Sequence, residues 1–147
     1  MAWRGFFRPN NPGKYKGDPK GIVYRSSLEL KMMRKFDSNP SIVWWSSEEV
    51  AVSYFCPVKK RERRYFPDFV IRKVGTDGVE ETLMIEVKPH AETRPPKHGP
   101  RKRRSRIISE ELTWANNQAK WEAARRFCAR NGWKFVTITE KEIGLSY

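Results

Sequence analysis

Four side chains in this 147-residue chain have the types and spacings that metal-assisted phosphodiester hydrolysis requires. Asp68 follows Pro67 in the run Tyr65-Phe66-Pro67-Asp68, and Glu86 and Lys88 stand two apart in Ile85-Glu86-Val87-Lys88. Residues two apart on a strand leave it on the same face. The two runs read as consecutive strands over 65–72 and 81–88, joined by a turn at Gly75-Thr76-Asp77-Gly78. Glu29, on a helix predicted upstream, is the third acid. Hard cations such as Mg²⁺ take oxygen ligands and keep several waters. Asp68 and Glu86 offer carboxylates, the Val87 carbonyl offers a further ligand, and Glu29 reaches the same ion through water or holds a second one. Such an ion acidifies a water and offsets charge on the phosphate. Lys88 then orients the attacking water or stabilises the developing pentavalent phosphate. His90 and His98 lie in a Pro-rich stretch where nothing fixes their geometry, which disfavours a histidine-dependent route.

Each member also has an ordinary explanation. Asp68 after a proline suits an edge strand facing water. Glu86 and Lys88 suit a solvated outer face, with Leu83, Ile85 and Val87 turned inward. Glu29 closes the capping box Ser26-x-x-Glu29, a role compatible with metal binding. The ordered set is stronger than its parts: an acid on the first helix, an acid after proline, then Glu-x-Lys on the hairpin partner.

Several elements must position these groups. Residues 1–24, rich in Gly, Pro, Asn and Lys, read as a basic aromatic arm, whose aromatics dock on the domain or meet a partner. Residues 25–147 read as one domain. Its first helix starts at Ser26, turns Leu28, Met32, Met33 and Phe36 to one side, and stops at Asp37-Ser38-Asn39-Pro40. Ile42–Trp45 and the alternating Glu49–Phe55 read as strands. Trp44 and Trp45 read as packing residues, and Lys59–Arg64 as a charged connection. Prolines 89, 95, 96 and 100 and Gly99 forbid regular structure, so 89–106 is predicted as a basic Pro-rich loop. It holds seven Lys/Arg and no acid between Arg94 and Arg106. A helix over 109–131 follows, with Leu112, Ala115, Ala119, Ala123 and Phe127 inward, ending at Asn131-Gly132. A strand at 133–139 and a short turn over 140–145 complete the chain. Strand 81–88, the long helix and strand 133–139 form a β-α-β unit, which implies parallel pairing. The fold class is α/β, a mixed central sheet flanked by helices.

The net charge of +13 and pI near 10 point to a polyanionic partner, most simply DNA or RNA. An aromatic share of 13% argues against disorder. No run suits a signal peptide or a membrane span. Cys56 and Cys128 fit no zinc pattern and read as reduced, buried thiols, with a disulfide left open.

Pro67-Asp68…Glu86-Val87-Lys88 with Glu29 on the preceding helix resembles the PD-(D/E)xK nuclease superfamily. A wider pattern runs from Tyr24-Arg25-Ser26-Ser27-Leu28-Glu29 through Asn39-Pro40, Trp44-Trp45, Tyr54-Phe55 and Arg64–Phe69 to Ile85–Pro89 and Ile138-Thr139-Glu140. It is similar to the endonuclease subunit of Tn7-type transposases and to the head-completion nucleases of T-even-like tailed phages. The phage family shares more, including Lys14–Lys20, Tyr54-Phe55-Cys56, Glu92-Thr93-x-Pro95-Pro96 and Lys120-Trp121-x-Ala123-Ala124. The transposase subunit usually carries a second, helical domain, so an end at Tyr147 disfavours it.

This resemblance implies a restriction-endonuclease-like core and a Mg²⁺-dependent DNA endonuclease of low sequence specificity, with Mn²⁺ able to substitute. It further implies processing of the packaged DNA end at the portal vertex, DNA and phage portal or neck proteins as partners, and no membrane or small-molecule cofactor. The setting would be the host cytoplasm, extending to the virion. Glu29, Asp68, Glu86 and Lys88 carry over position by position. Gln118 and Lys120 fall where related nucleases often place a polar residue. Arg25 and Ser26, beside Glu29, are candidates for touching the substrate phosphate. Arg101, Lys102, Arg103 and Arg104 are candidates for non-specific backbone contacts. The competing expectation is a structural DNA-binding adaptor or plug of the phage neck with little nuclease activity.

Overall fold

The computed structural model describes residues 4–139; Trp3 and the turn expected over 140–145 lie outside them. In chain order the elements are β1 (Gly5–Phe6), β2 (Val23–Tyr24), α1 (Ser27–Ser38), β3 (Ile42–Ser47), β4 (Val52–Cys56), β5 (Arg61–Tyr65), β6 (Phe69–Val74), β7 (Glu80–Val87), α2 (Arg104–Asn131) and β8 (Lys134–Ile138). Single 3-10 turns lie at Pro12–Lys14 and His90–Thr93.

The central sheet has the order β3-β6-β7-β8. β3 and β7 pair with β6 antiparallel, and β8 pairs with β7 parallel, as the β-α-β reading requires. Both faces of this mixed sheet are covered. On one side α1 packs Leu30, Met33 and Phe36 onto Trp45, Phe69 and Ile85. On the other, Trp121, Ala124 and Cys128 of α2 cover Val70 and Met84 together with the β4–β5 hairpin. Fully burying a side chain of the Ile or Met class is worth about 1.5–3 kcal/mol, so these two layers hold the sheet in place. Cys56 and Cys128 are free and buried, and no helix among the described residues is long and apolar enough to cross a membrane.

Trp45 is fully buried beside Phe7, Tyr15 and Phe36, and Trp44 is partly buried, so both tryptophans pack as expected. The expected arm is drawn into the domain over residues 4–24. Phe7, Tyr15 and Ile22 belong to the core, the Lys16 amide bonds the Trp45 carbonyl at 2.8 Å, and Phe6 remains exposed.

The expected strand over 65–72 is two strands. Phe66-Pro67-Asp68 interrupts it because proline has no N–H to give a ladder. β5 before the break pairs with β4, and β6 after it joins the central sheet. Lys59–Arg64, expected as a connection, therefore supplies both a turn and a strand. The basic loop is shorter than expected, since α2 begins at Arg104. Its buried residues are Asn117, Trp121, Ala124 and Cys128, whereas Leu112 and Ala115 are exposed. The inward face follows the Trp114–Trp121 spacing of two helical turns rather than the smaller aliphatic residues.

Candidate active site

The strand break places Asp68 at the start of β6, directly beside the end of β7. With Phe69 opposite Ile85, the register carries Asp68 to Glu86. The Val87 amide donates to Asp68 Oδ2 at 2.7 Å. Glu86 is buried, 4% exposed, on the sheet face covered by α2, where the expectation of a solvated face fails. The Tyr65 hydroxyl donates to Glu86 Oε1 at 2.7 Å, and Lys88 Nζ lies 3.5 Å from Glu86 Oε2. Glu86 and Lys88 thus share a face, as spacing of two requires.

Glu29 approaches from α1. Its amide donates to Ser26 Oγ at 3.1 Å, completing the predicted cap. Its own Oε1 accepts from the Arg25 amide at 3.2 Å, one residue before the usual capping-box partner. Arg25 is ion-paired with Glu48. Glu48 was not anticipated as part of the site. It follows β3 with φ at 54°, in the left-handed region, and its amide donates to the Asp68 carbonyl at 3.2 Å.

Burial first, and then the neighbouring Glu86 carboxylate, push the Asp68 carboxyl up to about 8 against the pull of the Val87 amide. Glu29 is also raised, by burial first, with Glu48 and Glu86 adding to it and the Arg25 amide opposing. Burial and then Glu86 raise the Tyr65 phenol far above its ordinary range, so it remains a donor. Two carboxylates packed together in a half-dry place cost free energy unless a cation joins them. The donor set is oxygen only, which fits a hard divalent cation.

Among the described residues, no three His, Cys, Asp or Glu side chains gather closely enough to ligate one ion. Glu29 stands beside the Asp68–Glu86 pair and acts on it through space, raised in turn by Glu86. Tyr65 was missed because its role depends on a partner 21 residues away. The sequence offers only the tyrosine itself, just before the Pro67 break; a phenol there needs a partner once it is buried.

The remaining candidates divide. Lys120 lies near the site, its Nζ 5.8 Å from the Tyr65 ring centre and 6.0 Å from that of Tyr54. Gln118 is partly buried about 200° round the helix from it. Arg101, Arg103 and Arg104 are exposed. Lys102 is instead tied to Glu110 at 2.9 Å, which removes it from the set of free cations. His98 pairs with Glu111 at 2.6 Å, away from the acidic pair.

A family described as the TnsA-like endonuclease N terminal domain matches residues 39–140, a span that contains Asp68, Glu86 and Lys88 and leaves out Glu29. The head completion nuclease of Enterobacteria phage T4 is 38% identical over 143 residues, covering 95% of this chain and 93% of that protein. No solved structure matches significantly. The chain belongs to the TnsA-like endonuclease family and is a nuclease of the phage kind.

Proposed function

We propose that this nuclease is a Mg²⁺-dependent DNA endonuclease of low sequence specificity, with Mn²⁺ an acceptable substitute, acting in head completion on the packaged DNA end. The observation that carries the metal dependence is the buried Asp68–Glu86 pair, with Lys88 3.5 Å from Glu86. Asp68, Glu86 and the Val87 carbonyl would hold the ion, with Glu29 reaching it through water; when bound, the ion supplies positive charge to the scissile phosphate and acidifies a water. Tyr65 fixes the rotamer of Glu86. Lys88 orients the attacking water and offsets charge on the phosphate as it becomes pentavalent. Arg25, held by Glu48 at the rim, positions a phosphate of the substrate. Low specificity would follow from affinity carried by phosphate contacts, which hold no sequence information. The head-completion role is supported by the name of the phage T4 relative; portal or neck proteins as partners, and the host cytoplasm and virion as setting, are proposed with it.

Cleavage of supercoiled and linear plasmid with Mg²⁺, Mn²⁺, Ca²⁺ or EDTA, beside Lys88→Ala, tests this reading. Cleavage in Mg²⁺ or Mn²⁺ that is absent in EDTA and lost in the variant is expected. Full cleavage by Lys88→Ala, or cleavage in EDTA, would overturn it.

A further inference from the structure

We infer that the notch between the β4–β5 hairpin and α2 is a phosphate-binding site that seats the backbone of the substrate DNA beside the acidic pair. The inference rests on the nuclease reading and deepens it by naming where the substrate is held. The notch has a volume of about 390 Å³. Lys59 and Arg63 line it from the hairpin, and Thr113, Asn116 and Lys120 from α2; no acidic side chain among the described residues does. Three cations flanked by amide and hydroxyl donors match the groups that contact nucleic-acid phosphates.

Hairpin geometry fixes this arrangement. Arg63 lies opposite Tyr54 in the antiparallel register, and directly opposed residues share a face. Tyr54 is buried within the layer packed on α2, so Arg63 extends along the same side into the notch. Lys59 and Arg63 are exposed, and neither forms a salt bridge among the described residues. Their counter-charge is left to come from outside the chain. At the floor, Cys56 Sγ accepts from the Lys59 amide at 3.3 Å and donates to Asn116 Oδ1 at 3.1 Å. The Lys59 amide first, with Arg63 adding to it, draws the Cys56 thiol below its ordinary value, so the floor favours negative charge.

Position links the notch to the chemistry. Lys120 reaches from it over the ring of Tyr65, and the Tyr65 hydroxyl holds Glu86. A strand whose phosphate lies against Lys59, Arg63 and Lys120 therefore passes alongside the Asp68–Glu86 pair, one aromatic ring away.

The test is the affinity of the whole chain for a short DNA duplex in EDTA, measured across salt concentrations. The proteins are the wild type, Lys59→Ala/Arg63→Ala, Asn116→Asp, and the charge-matched Arg126→Ala/Arg130→Ala at the far end of α2. The notch pair is expected to weaken binding about tenfold or more at ~0.1 M salt, and to lower the slope of log affinity against log salt by roughly one to two. Asn116→Asp, which keeps shape and the Cys56 bond while adding negative charge, is expected to weaken binding several-fold. The control is expected to change it less than about twofold. Equal losses in notch pair and control, or unchanged binding in the notch variants, would overturn the notch. Wild-type plasmid cleavage in Mg²⁺, run alongside, separates the two readings. Cleavage with unaffected notch variants sinks the notch alone, and a wild type that neither binds nor cuts DNA sinks both.

Discussion

The acidic pair and the Pro-rich segment that follows it handle charge in opposite ways. At Asp68 and Glu86, two carboxylates lie together with one ammonium at 3.5 Å, and Glu29 and Glu48 add negative charge from the rim. Along the Pro-rich segment and the first turns of α2, positive charge is in excess and only part of it is paired. Lys102 and Arg106 both hold Glu110, at 2.9 and 3.0 Å, and His98 holds Glu111. The first region is acidic and mostly buried; the second is basic, partly paired and mostly exposed. Exposed pairs contribute little to stability, while buried, unbalanced acids oppose folding. The buried acids thus oppose folding at a place where an external cation would relieve them. Lys102 docks the Pro-rich loop on Glu110 of α2, which Arg106 also holds.

The contrast predicts unequal responses to similar substitutions. Asp68→Asn should lower plasmid cleavage at least ~100-fold, by analogy with loss of a single transition-state donor, and a plasmid-nicking assay checks this. The same substitution should raise the melting temperature of the metal-free protein at pH 8. The folded Asp68 carboxyl titrates at about 8 against 3.8 as its ordinary value, so between these values the folded state keeps a proton that the unfolded state has lost. Stability gained by this group is fully present below pH ~4 and falls as pH rises towards 8. Glu29, also raised, acts with the same sign. Thermal melts from pH 5 to 8 should show a decline in the wild type that is shallower in Asp68→Asn and is reversed by Ca²⁺.

Smaller effects are expected further out. Tyr65→Phe leaves Glu86 Oε1 without its donor, which costs about 1–3 kcal/mol by denaturant titration and about tenfold in cleavage as Glu86 loses its fixed orientation. Glu110→Ala, in the exposed paired cluster, should shift the melting temperature by no more than about 2 °C and leave the cleavage rate within about twofold. A large loss of activity in Glu110→Ala would erase the contrast between the two regions.

The site was more legible in the sequence than the surface that surrounds it. Asp68, Glu86 and Lys88 could be placed because period-two spacing fixes a face and a proline marks a break. The β-α-β unit was legible from the length of the helix and its Gly132 stop, where φ is 70°. The β4–β5 hairpin was not, because Arg61-Glu62-Arg63-Arg64 has no apolar alternation and owes its strand geometry to pairing with β4. The start of α2 was hidden for a related reason. Arg103 at its N-cap forms no side-chain cap and Arg104–Arg106 add positive charge at the positive end of the dipole, so the usual start signals are missing. Tyr65 and Glu48 escaped because their roles are made by contacts across the fold, with Glu86 and with Arg25.

The central claim, that Asp68 and Glu86 together form the cation site, is tested most directly by Mn²⁺ binding followed by electron paramagnetic resonance at pH 8 in the wild type and Asp68→Asn. The account predicts loss of the free Mn²⁺ signal on adding wild-type protein and little or no loss with the variant. Equal binding by both proteins, or none by the wild type with or without DNA, would contradict it.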